Sequence, residues 1–278
     1  MVKKLIVNAD DYGRTKNVSN GIRQAHSEGI VSTTTVMMNL PGASEAVQLA
    51  KVETPALGLG VHLNLTFGEP LSPESKVTSS TDTQGGFRSK DFYFYHSDKI
   101  TSNDVEYEWR MQIEALLNCG IVPDHLDSHH HIAMASPELW SLSLRLAKEY
   151  GCGVRLPNPT DIPDEVLRNA FPIDTTDFVR HQAPAALDEA GIPYPDHFIS
   201  SFYGAGVSLD HLMSILHSLP EGISELMCHP GFVDEKLCAT SGYAKPRQKE
   251  YEILIDPKIG QSIRKSGIVL TTFQQALA

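Results

Sequence analysis

"LIVNADDYG" spans residues 5–13. It starts as an apolar, strand-forming run. It ends in two adjacent carboxylates, an aromatic residue and a glycine. A hydrophobic strand that finishes in polar side chains is how parallel α/β folds deliver chemistry to the rim of a sheet. The pattern decides the fold only if it recurs, and it does. Val18, Ile22 and Ala25 follow at helical spacing. "STTTVMMN" (32–39) is β-branched, Ala46, Leu49 and Ala50 suggest a helix, and "LGLGVHLNL" (57–65) is a third strand.

Farther along, "DHLDS" (124–128), "GVRL" (153–156), "HFISSFYG" (197–204), "SELMCH" (224–229) and "GIVLTT" (267–272) read as further strands. Between them, Asn103 and Glu106 are spaced as a capping box ahead of Val105, Trp109, Ile113, Leu116 and Leu117. Ser136-Pro137 opens a helix that runs to about Tyr150, and others follow Ser208 and lie near 257–266. Residues 66–101 and 157–196 break the rhythm as two insertions. Seven or eight β-then-α units without a linker predict one α/β domain over residues 1–278. The expected form is a (β/α) barrel, complete, distorted or seven-stranded; an open parallel sheet is the alternative.

A net charge of -11 argues against nucleic acid or an anionic membrane as partner. No apolar run approaches the ~20 residues of a membrane span, and the start is too polar for a signal peptide. Cys119, Cys152, Cys228 and Cys238 form no Cys-x-x-Cys pair and read as reduced thiols. A cytoplasmic location is expected.

The polar residues gather at strand ends. The first strand ends in Asn8, Asp10 and Asp11, and the second in Asn39. The third carries His62 and Asn64, the fourth Asp127, His129, His130 and His131, the fifth Arg155, and the seventh His229. These side chains are expected to converge at the C-terminal ends of the strands as an active site. Each has an ordinary reading by itself: Asp10-Asp11 as a turn, His62 as a satisfied strand histidine, His229-Pro230-Gly231 as a turn. Three successive imidazoles are harder to explain without a ligand. Carboxylate and imidazole together suit one divalent ion, Mg or Zn first, then Mn, Co, Fe or Ni. On an extended strand, His129 and His131 share a face and His130 points away, so one or both of the pair enter the site. The turn at Tyr12-Gly13 is expected to aim both aspartates into one pocket. Arg155 and Asn39 are candidate substrate contacts, with Arg155 alternatively holding Asp10 ionised. "DFYFYH" (91–96) reads as an aromatic cluster anchoring its own loop, or as a sugar-stacking lid.

"LIVNADDYG", "GIVSTTTVMMN", "GLGVHLNLTFGEPL", "PDHLDSHHHI" and "ELMCHPGF" together resemble the YdjC-like carbohydrate deacetylases, the family that includes chitooligosaccharide deacetylase. The blocks fall in the family's order from residue 5 to about 232. The resemblance implies a (β/α) barrel related to the NodB-type deacetylases. It implies metal-dependent removal of an acetyl group from an N-acetylated amino sugar, and a homodimer. It places the metal ligands on Asp11, His62 and His129, with Asp10 as general base and His229 as general acid. In that scheme Asp127 and His131 support the ligands, Asp127 by orienting a histidine through its second ring nitrogen. The chain departs from the pattern at Ala133, where a histidine is frequent, and at Tyr12 and Arg14, where Phe and Leu are frequent. The rival readings are another metal-dependent amidohydrolase or a phosphoesterase, a paired-carboxylate glycosidase using Asp10 and Asp127, and a sugar-binding protein without catalysis.

Overall fold

The computed structural model describes residues 2–158 and 176–277. The stretch 159–175 of the second insertion lies outside the described residues. Seven or eight strand-then-helix units were expected, and the described residues hold eight strands: β1 (Lys3–Tyr12), β2 (Thr33–Val36), β3 (Gly58–Leu63), β4 (His125–Ser128), β5 (Gly153–Val154), β6 (His197–Ile199), β7 (Gly222–Cys228) and β8 (Val269–Leu270). The main ladder runs β5-β4-β3-β2-β1-β7-β6, all parallel, and β8 pairs with Lys4 and Leu5 at the start of β1. Among the described residues no ladder joins β5 to β6. The sheet is therefore a curled, incompletely closed barrel, the distorted seven-stranded form.

Side-chain alternation shows the curl. On β1, Leu5, Val7 and Ala9 pack into the apolar cluster shared with helix α1 (Lys16–Glu28). The alternate residues Asn8 and Asp10 point the other way. Asn8 Nδ2 lies 2.9 Å from His125 Nε2 on β4 and donates to Glu225 Oε1 on β7 at 3.1 Å. β1 and β4 are not neighbours in the ladder, so this contact crosses the interior of a bent sheet. Gly60 on β3 faces the same interior, and a Cβ there would collide with the His125 ring. That ring stacks on Phe273 with centroids 3.8 Å apart. Gly60→Ala should therefore cost roughly 1–3 kcal/mol by overpacking. Chemical denaturation measures it, and a neutral result would mean this interior is loosely packed.

Helices cover the outer face. Thr15 caps α1 by accepting from Val18 N at 3.1 Å. Ser136 caps α5 (Pro137–Tyr150) with proline in its first turn, as expected. The capping box at Asn103 and Glu106 does not form. Helix α4 (Ser102–Asn118) starts two residues earlier, after Thr101, without a side-chain cap. Glu106 is drawn away by Arg110 and Arg145, which donate to it at 3.0 and 2.7 Å. In the first insertion, "DFYFYH" folds mostly into helix α3 (Lys90–Tyr95). Tyr93 is buried and donates to Ser80 O, Arg88 lies over Phe92, and Tyr95 points to solvent. The segment anchors its own loop. No described helix is long and apolar enough to cross a membrane. All four cysteines are free thiols.

Candidate metal centre and its proton-transfer groups

The two aspartates reach one pocket through a backbone break inside β1. The β1–β2 register slips between Ala9 and Tyr12, and Asp11 sits at φ 74. The expected turn thus lies at Asp11 itself, before Tyr12-Gly13. A non-glycine residue in this region costs of order 1–3 kcal/mol and persists where its surroundings enforce it. Here Arg14 N donates to Asp11 O at 3.1 Å and Arg247 grips the carboxylate.

The triple histidine also departs from expectation. β4 ends at Ser128, and His130 and His131 turn into the left-handed region at φ 56 and 53. The extended alternation assumed from sequence does not apply beyond His129. His129 enters the pocket beside Asp11, and His131 sits edge-on to Phe198, its centroid 5.8 Å away. His130 Nδ1 lies 2.9 Å from Thr66 Oγ1.

Three atoms converge: Asp11 Oδ1, His62 Nε2 and His129 Nδ1. Their separations are 3.1 Å (Asp11–His129), 3.5 Å (Asp11–His62) and 3.3 Å (His129–His62). Ligands at ~2.0–2.2 Å from one ion have about these mutual spacings. All three residues are buried, and Asp11 Oδ1 has no hydrogen-bond donor among the described residues. The donor set fits a divalent cation. A second acidic group, Asp10, His62 and Asp127, overlaps it. That one is already threaded by Arg155, whose Nη1 lies 2.9 Å from Asp127 Oδ2. A second cation there would face a guanidinium, which disfavours the two-metal site that the amidohydrolase or phosphoesterase reading would favour.

Electrostatics separates the aspartates. Burial alone would raise the Asp11 carboxyl, but Arg247 and then His129 outweigh it and hold it well below the usual range. Asp10 is likewise raised by burial and lowered, on balance, by Arg155. Arg155 Nη1 and Nη2 donate to its two oxygens at 2.8 and 2.7 Å. Burial lowers His62, yet the neighbouring carboxylates of Asp127 and Asp11 push it up to about 10. His62 Nδ1 meets Asp127 Oδ1 at 2.7 Å, so Asp127 orients the imidazole, as expected.

Without a cation, then, His62 holds a proton at pH 8. A metal ligand must give it up. Metal affinity should rise with pH up to about 10, where the free imidazole loses its proton anyway. Loading a divalent ion at pH 8 should release about one proton per ion from this residue. A weakly buffered indicator titration measures it, and zero protons would contradict the ligand set.

Opposite the trio, His229 Nε2 lies 3.8 Å from Asp10 Oδ2. Burial brings its pKa down to about 4 despite Asp10. Its backbone N–H donates at 2.5 Å to Glu250, which also accepts from Tyr243 OH at 2.6 Å. Tyr243 stacks on Tyr203, 4.2 Å between centroids, and both rings sit edge-on to His229. These groups wall a cavity of about 600 Å3 that opens over Asp10, Asp11, His62 and His129.

Two predicted substrate contacts do other work. Arg155 is 2% exposed and does not line this cavity; its donors go to Asp10, Asp127 and Glu225. Asn39 also lies outside the cavity. Its amide donates to the carbonyls of Phe67 and Glu69 at 3.0 Å and accepts from Asn64, so it fixes the turn that presents Phe67. Sequence reasoning missed Glu225, Tyr203, Tyr243, Arg247 and Glu250. A glutamate inside the apolar strand "SELMC" was a readable signal for Glu225. Arg247 and Glu250 lie in the charged helix Lys245–Leu254, which reads as a solvated surface until it folds over the site.

The model of the YdjC-like protein family matches residues 4–265. A carbohydrate deacetylase of Thermoanaerobacter pseudethanolicus is 35% identical over 273 residues, 98% of each chain. One of Brevibacillus brevis is 36% identical, covering 98% of this chain and 99% of its own. The crystal structure of an Enterococcus faecalis protein, described as a candidate for cellobiose-phosphate cleavage, superposes with TM-score 0.84 at 33% identity. It covers 99% of this chain and 98% of its own. A lactam utilization protein of Thermus thermophilus shares the fold at TM-score 0.51 and 12% identity, over 97% and 99% of the two chains. With the family model spanning nearly the whole chain and relatives above 30% identity end to end, this chain belongs to the YdjC-like family.

Proposed function

We propose that this protein removes the acetyl group from an N-acetylated amino sugar, of N-acetylglucosamine or chitooligosaccharide type, with the help of one divalent ion. The observation that carries the reading is the pairing of two unlike aspartates on one strand end. Asp11 faces two imidazoles. Asp10 is locked to Arg155 and lies within reach of His229. Metal-assisted amide hydrolysis needs this division: one carboxylate that binds the ion and one that moves a proton.

Asp11, His62 and His129 would hold the ion. When bound, it supplies Lewis acidity, activating water and polarising the carbonyl. One carboxylate oxygen and two imidazole nitrogens favour Zn, Co, Ni or Mn over Mg. Asp10, kept ionised by Arg155, accepts a proton from the attacking water. His229 is neutral at rest, because burial holds it down to about 4. The proton it gives to the departing nitrogen is the one Asp10 has taken, which passes once their 3.8 Å separation shortens to hydrogen-bond reach or through one bridging water. The water oxygen stays on the acetyl carbon, the C–N bond breaks, and acetate and the amino sugar are the products. Tyr203, half-exposed at 45% and stacked on Tyr243, offers a flat face for a sugar ring.

The relatives named carbohydrate deacetylases support this substrate class. The test is acetate release from N-acetylglucosamine and diacetylchitobiose, screened with several divalent ions. Release from neither, with metal bound, would overturn the reading.

A further inference from the structure

A second cavity, of about 570 Å3, lies behind the wall of the site. Arg14, Phe67 and Thr240 line both spaces and so form the partition between them. The Arg14 guanidinium lies 4.1 Å from the Phe67 ring centroid. Its Nη2 donates to Thr240 O at 3.0 Å, and its Nη1 is 3.9 Å from Asp11 Oδ2. Arg14 is 7% exposed, and its Nε has no hydrogen-bond partner among the described residues. A buried guanidinium with a donor to spare, beside a reaction centre, suits a small carboxylate.

The far side of this chamber is polar and reaches solvent. Ser19, Asn20 and Lys236 line it, and Lys16 pairs with Glu45 at 3.2 Å, both side chains largely exposed. At ~30 Å3 per molecule it has room for roughly twenty waters, enough to hydrate a small anion.

Amide hydrolysis makes two products in one pocket. The carboxylate would form at the Asp11–His62–His129 trio, which lines the site cavity, and the ionised Asp10 beside it repels an anion. On the Asp11 side of the trio stand two cations, Arg247 and Arg14, which grip or flank its carboxylate. We propose that the second chamber is the exit for the acetate product, and that Arg14 passes the anion through the partition. This rests on the deacetylase reading above. It gives the enzyme two doors, so acetate leaves without waiting for the sugar.

The test uses the metal-loaded full chain. Glu45→Trp and Leu49→Trp crowd the chamber from an exposed helix face without touching the site. Arg14→Leu removes the guanidinium, and Arg14→Lys keeps the charge. Rapid quench measures acetate formed, bound or free, while steady-state turnover and inhibition by added acetate are measured in parallel. If anion exit becomes limiting, kcat should fall at least about fivefold in the tryptophan variants and in Arg14→Leu. Acetate should then appear as a burst of about one per site before a slow phase. Inhibition by added acetate should weaken in Arg14→Leu and recover in Arg14→Lys, with metal content unchanged. Unchanged kcat and no burst in the tryptophan variants would overturn the proposal. Those variants carry the test even if Arg14→Leu fails to fold. A wild type that releases no acetate would sink the deacetylase reading instead. A wild type that turns over, with the crowded variants indistinguishable from it, would sink only the exit.

Discussion

Asp10→Asn should leave metal content unchanged and lower kcat by about 10²–10⁴-fold, the usual contribution of a positioned general base. The asparagine keeps the size of the side chain and can still accept from Arg155, so the pocket should keep its shape. It cannot take a proton from water. Asp11→Ala makes the paired measurement, because it should lose the metal as well as the activity. Metal content by atomic spectroscopy and kcat by acetate release separate the two. If Asp10→Asn loses metal and Asp11→Ala keeps it, the roles of the two aspartates are reversed.

Arg155→Leu should be the most destabilising single change near the site. The guanidinium is buried and pairs with Asp10, Asp127 and Glu225 at 2.7–2.9 Å. Its removal leaves three carboxylates without their cation, and two of them, Asp127 and Glu225, do not line the site cavity. Breaking a buried pair from one side typically costs about 3–5 kcal/mol, and here three acids share the cation. The pH dependence has a definite sign. Asp10 and Asp127 titrate below their ordinary values in the folded protein. Their contribution to stability is therefore present above the unfolded range near pH 4 and lost as pH falls through the lower folded values. In Arg155→Leu that depression is weakened. The gap between wild type and variant should be widest near neutrality and narrow in acid. Urea unfolding at pH 7 and stepwise down to about pH 2 measures it; a gap that stays equal through that range would mean that Arg155 acts by packing rather than by charge.

The strand-by-strand order of the fold was legible because parallel strands write themselves as short apolar runs between helical periods. Asp11, His62 and His129 were legible for a related reason. Polar side chains at the ends of such runs have nowhere to go but the rim. What the sequence hid is mostly the work of backbone turns and of distant segments. Nothing in "DSHHHI" says that the chain leaves the strand after His129, although His129 and His131 both still line the cavity. Nothing in "NADDYG" says that Asp11 itself adopts positive φ. Asn39 holds a loop rather than the cavity wall, and of the two readings of Arg155 the fold shows the one that pairs it with Asp10. Both are saturated by neighbours that come from other strands and loops, which only the folded arrangement brings together. Arg247 and Glu250 arrive from a helix more than 230 residues after Asp11, with a surface-like composition.

A divalent ion on Asp11, His62 and His129 should drive deacetylation. The most direct measurement is acetate release from diacetylchitobiose by the wild type, before chelation, after it, and after stoichiometric return of a divalent cation. The expected result is loss of release with the bound ion and its recovery when about one ion per chain is restored. Full acetate release from protein shown to be metal-free would contradict it.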